Sequence, residues 1–353
     1  MEKKHAVKPV YELTIAGKNV TADISPFVAS IEYTDRIQDE SDDVNIVLND
    51  ISGIWQSDWY PQQGDTLTLQ IGYAGNLLDC GLFQIDEIEL TADTLTVKAI
   101  ATSITDSLRT KNSKAYEKQT LKDIAKYIAD KNKLKLTGDT SNLSSIKVSR
   151  KTQYNETDLA FLAKLCKQYS IIFSVRGNQL IFLDPKGIEN ADTIATFTRN
   201  DLSRYTFRDK TSETFEDANI SVRNSKTASV TKGTSENSDD AADDTLEIDD
   251  YVENDSQAQA TAEGSLREKN KDKLTGSFST DGNPLLVAGA NVEMLSFGAF
   301  SGKWTIAESK HSITTSGYIT DISLLKGMHK KTVQKNTDNN NTHSWYNTLN
   351  GIK

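Results

Sequence analysis

The stretch Gly298-Ala299-Phe300-Ser301-Gly302-Lys303-Trp304 has the outline of a phosphate-binding loop, in which glycines let backbone N–H groups approach an anion and a lysine reaches its outer oxygens. The chemistry is incomplete: the loop is one residue short, and Trp304 stands where a Ser or Thr hydroxyl must reach magnesium, so a strand-connecting turn is expected. Asp239, Asp240, Asp243, Asp244, Glu247, Asp249 and Asp250 supply hard oxygen ligands of the kind calcium takes. Asp244, however, occupies the place where a calcium loop needs Gly for its sharp bend, which leaves a charged, solvated loop as the expectation. His5, His311, His329 and His343 are scattered without a second ligand at metal spacing. Cys80 and Cys166 lie far apart inside apolar patterns, which predicts buried thiols rather than a disulfide or a metal pair. No Gly-x-Ser-x-Gly, His-Glu-x-x-His or Gly-x-Gly-x-x-Gly sequence occurs, and no carboxylate pair sits in a setting that marks an acid and a base. The expectation is no catalytic residue, no metal and no cofactor.

Whatever these side chains do, the elements that carry them are mainly β. Tyr11–Ile15 runs into the turn Ala16-Gly17-Lys18-Asn19 and a second strand at Val20–Ile24, a hairpin pattern. Val44, Ile46 and Leu48 alternate, as do Leu67, Leu69, Ile71 and Tyr73, and then Leu95, Val97 and Ala99, each run turning one apolar face to a core. The middle of the chain changes period. Leu121, Ile124, Ala125, Ile128 and Ala129 form a helical stripe behind Thr120 as N-cap, with Asp123 in the first turn. A second helix begins near Thr157 and leads to a strand pair that Asp184-Pro185 stops. Beyond residue 193 strands return, interrupted by a polar, acidic segment and by a helix whose face carries Ala258, Ala262 and Leu266. At the far end a polar, Asn-rich run, Gln334–His343, precedes Trp345, Tyr346, Leu349 and Ile352 at helical spacing.

The chain has 353 residues, enough for two or three domains, and a formal charge of -10 with a pI near 5.1. That balance argues against a surface built to grip nucleic acid, which needs clustered Lys and Arg. An acidic wall would instead repel a passing acidic polymer. No run approaches the roughly 18 apolar residues of a membrane helix, and Met1–Pro9 is not followed by the apolar stretch of a secretion signal, so a cytosolic origin is expected.

Several blocks resemble the late control protein D family of contractile phages, which shares its fold with the base of the type VI secretion VgrG spike proteins. They are Gln119–Ala125, Lys133–Leu136, Gln153–Leu162, Cys166–Tyr169, Gly276–Pro284, Gly302–Ile306 and His311–Thr320. The resemblance implies two related antiparallel β-barrel domains, residues 1–106 and 188–330, flanking a small α/β insert at 107–187. An acidic loop falls at 224–255 and a C-terminal tail at 331–353. It further implies a homotrimer that presents six barrels to a hexameric tail tube and threefold symmetry to a spike protein, with tape measure and baseplate wedge proteins as further partners. On this reading the chain assembles in the bacterial cytoplasm, ends in the baseplate of a phage or headless particle, and leaves the piercing tip to a separate protein. Trp345, Tyr346, Leu349 and Ile352 are expected to dock on a neighbouring baseplate subunit. Two other classes stay open: a hub with cell-wall hydrolase activity, and a carbohydrate-binding module using Trp55, Trp59 and Trp304.

Overall fold

The computed structural model describes residues 8–37, 41–57, 59–101, 110–138, 140–176, 179–223, 230–236, 244–249, 252 and 255–326. The first unit comprises β1 (Pro9–Ile15), β2 (Lys18–Asn19), α1 (Thr21–Ile24), β3 (Val28–Arg36), β4 (Asp43–Asn49), β5 (Thr66–Tyr73), β6 (Asn76–Leu90) and β7 (Thr94–Ala101). Its strands pair in the order β2-β1-β5-β6-β7-β4-β3, all antiparallel. The alternating residues read from sequence, Val44, Ile46, Leu48, Leu67, Leu69, Ile71, Leu95, Val97 and Ala99, are all buried in one core. The predicted strand at Val20–Ile24 is instead the single helical turn α1. Thr21 Oγ1 accepts from Leu13 N–H at 2.8 Å and captures the donor that a second hairpin strand would have used, while Ile24 turns into the core.

The insert holds β8 (Lys111–Thr120), α2 (Leu121–Lys131), β9 (Lys135–Gly138), α3 (Ser141–Ser145), β10 (Lys147–Thr157), α4 (Asp158–Gln168), β11 (Ile172–Arg176), β12 (Gln179–Leu183) and α5 (Pro185–Asn190). Both long helices start as their sequences dictate. Asp123 N–H donates to Thr120 Oγ1 at 3.1 Å and Thr120 N–H to Asp123 Oδ2 at 3.0 Å, a reciprocal capping box; Ala160 N–H donates to Thr157 Oγ1 at 3.2 Å. Their apolar stripes meet Tyr116, Leu143, Leu180 and Phe182 in a second core.

The remainder contains β13 (Thr193–Phe197), β14 (Arg204–Asp209), β15 (Asp217–Arg223), β16 (Val230–Glu236), β17 (Thr245–Ile248), α6 (Asp255–Asn270), β18 (Leu274–Asp281), β19 (Asn291–Met294), β20 (Gly302–Thr314) and β21 (Gly317–Leu325). Phe278, Val292, Met294, Trp304, Ile306 and Ile322 sit in a third core. The segment expected to be an acidic solvated loop is partly regular: β16 and β17 flank β15 in a three-stranded sheet. Leu246 and Ile248 alternate with Glu247 and Asp249, so one edge of an acidic stretch can still be buried. Helix α6 covers that sheet with Ala258, Ala262 and Leu266, and Gly233 permits the approach, since a Cβ there would lie 2.3 Å from the Ala258 backbone.

The chain is thus mainly β, with antiparallel sheets and a few helices. Pairing of β20 with β3 fuses the outer units into one 13-stranded sheet; among the described residues this ladder has ends at β2 and β14 and does not close into a ring.

Candidate assembly interface

The seam between the outer units is built on β20. Its residues Gly302–Thr305 pair with β19, and Glu308–Thr314 pair with β3 on that same edge, while β21 occupies the other edge. A bulge at Ala307 separates the two registers, and its carbonyl accepts from Ile37 N–H at 3.0 Å. Charges match across the join: Arg36 Nε lies 3.0 Å from Glu308 and Lys310 Nζ 2.9 Å from Glu32.

His311 is buried at this seam. Its Nε2 lies 3.0 Å from the Leu286 carbonyl and its Nδ1 lies 2.7 Å from Tyr318 Oη. A carbonyl only accepts, so Nε2 carries the proton and Nδ1 accepts from the Tyr318 hydroxyl. Ser309 Oγ donates to the same carbonyl at 2.5 Å, and the Tyr33 ring of β3 stacks on the imidazole at 6.0 Å. Burial pushes the imidazole pKa down to about 4, against the smaller opposing effect of the Leu286 hydrogen bond, and pushes the Tyr318 phenol up. Nearby, buried Asp35 on β3 accepts Ala288 N–H at 2.8 Å, binding the second unit's loop to the first unit's strand. These groups lock the two β units together within one sheet. In the sequence His311 stands both as a histidine without a second ligand and as the start of the block His311–Thr320; Ser309, His311 and Ile313 recur at period 2 and so share one strand face.

In the loop-like stretch, Trp304 is fully buried and donates its indole N–H to the Phe300 carbonyl at 2.9 Å; Ser301 N–H bonds to Gly298 and Lys303 Nζ to the Glu189 carbonyl. The turn therefore satisfies itself. Cys80 and Cys166 are buried free thiols, their pKa values raised chiefly by burial. Among the described residues no His, Cys, Asp or Glu cluster could hold a metal. Trp304 cannot stack on a sugar from the core, and Trp55 is 5% exposed with its ring between Phe27 and Trp59; only Trp59 and Tyr60, 41% and 50% exposed, present aromatic surface there. His5, His329, His343, most of the carboxylates at 239–250, and Trp345, Tyr346, Leu349 and Ile352 lie outside the described residues.

In the insert, buried Asp158 stands at the first turn of α4. Lys131 Nζ approaches it at 2.8 Å, Gln153 Nε2 at 2.9 Å, and the side-chain amides of Asn132 and Asn112 at 3.3 Å. Burial raises its pKa, but the hydrogen bonds outweigh that effect and hold the carboxyl below its ordinary range. It is a structural anion tying α2, β8 and β10 to α4.

The family model described as phage tail baseplate hub (GPD) matches residues 87–317, a span that contains the insert, the β20 side of the seam and most of the third core. The chain belongs to the phage tail baseplate hub family. Curated relatives carrying the name "Probable baseplate hub protein" come from Escherichia phage 186, 30% identical over 209 residues, and Escherichia phage P2, 31% identical over 206. Those alignments cover 57% and 56% of this chain and 53% and 52% of the relatives, so the chain spans about half the length of the hub proteins it matches. Among solved structures, the 43 kDa tail protein of prophage MuSo2 from Shewanella oneidensis superposes with a TM-score of 0.71 at 15% identity, covering 90% of this chain and 98% of that one. A tail protein from Neisseria meningitidis gives 0.67 at 12% identity, covering 90% and 96%, and an E. coli type VI secretion component gives 0.51 at 12%, covering 84% and 73%. At such identities the likeness speaks to the hub fold alone. Among the described residues no helix is long and apolar enough to cross a membrane.

Proposed function

We propose that this chain is the structural hub at the centre of a contractile tail or related injection particle, and that it works as a homotrimer joining a hexameric tail tube to a trimeric spike. One observation carries the reading: a single chain holds two β units with separate cores, set side by side by the β3–β20 pair. Threefold association of such a chain sets six β units around the axis, and that reconciles a sixfold neighbour with a threefold one. Membership of the hub family and the names of the relatives support the same role. Tape measure and wedge proteins are the remaining partners on this reading, with assembly in the host cytoplasm and residence in the finished baseplate.

The role is architectural. Asp158, the most enclosed carboxylate described in the insert, is neutralised and immobilised by Lys131 and three amides, an arrangement opposite to the raised pKa of a general acid in a cell-wall hydrolase. Deletion of the chain in a producing host, followed by microscopy of the tails and a peptidoglycan zymogram on the purified protein, tests the proposal. It predicts tails without a completed baseplate and no cleared band; normal tails, or clearing, would refute it.

A further inference from the structure

An apolar cleft of about 530 Å³ opens between the insert, α6 and the seam. Half-buried Leu159, Phe173, Val175, Ile188 and Leu325 line it, with Ala163 exposed on the α4 wall. One wall is β11, the outer strand of the β11-β12-β9 sheet, whose Ile172-Phe173-Ser174-Val175 run faces the cleft. An apolar strand on a sheet edge invites association unless something covers it. The described residues end beside this cleft, since Leu325, the last residue of β21, is one of its lining residues.

We propose that the cleft seats the chain's own C-terminal segment, with Trp345, Tyr346, Leu349 and Ile352 facing Leu159, Phe173 and Val175. Three features point to this occupant. Those four are spaced i, i+1, i+4 and i+7, which would place them along one helix face of on the order of 10 Å, an apolar face to match the apolar lining of the cleft. Residues 327–344 connect Lys326 to Trp345, and at ~3.3 Å per extended residue they are long enough to reach any point of the cleft from Leu325. Because the tether starts at the cleft itself, its effective concentration is of order millimolar, so a segment of this chain outcompetes the same segment of another copy. The occupant leaves polar residues outward and buries the β11 edge. The inference concerns the isolated chain and stands or falls independently of the hub role.

The test introduces Ala163→Cys and Leu349→Cys together into the full-length chain, oxidised at low micromolar concentration. Cys80 is buried away from the cleft, and because the free thiol of Cys166 lines it, both thiols of the test are introduced in a Cys166→Ala background. The proposal predicts a monomeric intrachain link between positions 163 and 349, mapped by mass spectrometry. It also predicts that truncation after Lys335, or Trp345→Ala with Leu349→Ala in the full chain, speeds amide exchange across Ile172–Val175 by about tenfold or more. A link found only between chains, no link, or exchange unchanged by both variants would overturn it.

Discussion

His311 shows how a titratable side chain can serve a joint rather than a reaction. In the folded chain its pKa lies near 4, below the ordinary value of 6.5, because burial penalises the imidazolium. The unfolded chain therefore takes up a proton first as pH falls, so the stability contributed by the neutral ring is intact above about pH 6.5 and is lost progressively down to about pH 4. The full loss is on the order of 3 kcal/mol. Urea unfolding at pH 7 and pH 4.5 is expected to show it, and His311→Gln, which keeps a donor and an acceptor but cannot titrate, is expected to flatten that dependence. Asp158 behaves differently: its depressed pKa makes its contribution persist until pH falls below the ordinary carboxylate range. Asp158→Ala leaves Lys131 and the buried amides of Gln153 and Asn132 without their shared acceptor. It should cost about 3–5 kcal/mol in thermal or denaturant unfolding; no measurable change would refute the structural role assigned to this anion.

At the scale of elements, close approaches decide which residues the seam tolerates. Gly282 follows β18 and faces the Tyr318 ring, where an added Cβ would lie 2.1 Å from ring carbons. Gly282→Ala is expected to destabilise the chain by about 1–3 kcal/mol and to loosen the His311–Tyr318 contact, with a loss of near-ultraviolet dichroism as the readout. An unchanged melting temperature would contradict the packing described. The local devices of these elements were legible in the sequence: the Thr120 cap with Asp123 in the first turn, the helix start near Thr157, and the alternation in β4, β5 and β7. Long-range choices were not. Nothing in Gly302–Thr314 says that one strand edge serves β19 and then β3, because period 2 fixes which face is buried and not which strand comes alongside. Strands β16 and β17 were hidden for a related reason: abundant Asp around Leu246 and Ile248 dominates a composition average, although a strand covered on one face needs only alternate apolar residues. The Thr21 hydroxyl that converts a hairpin strand into α1 finds its donor eight residues away, beyond the reach of a local pattern.

For the molecule as a whole, the first β unit with the seam, the insert, the second β unit and the sheet covered by α6 have separate cores, and specific bridges connect α6 to the insert, among them Arg267 to Glu189 at 2.7 Å and Lys167 to Glu268 at 2.8 Å. Such a body is suited to holding its two β units at fixed spacing. Reconstruction of the assembled baseplate by cryo-microscopy tests this account most directly. It predicts three copies of the chain around the axis, their six β units alternating in a ring against the tube; one copy, six copies, or a ring made from only one β unit of each chain would contradict it.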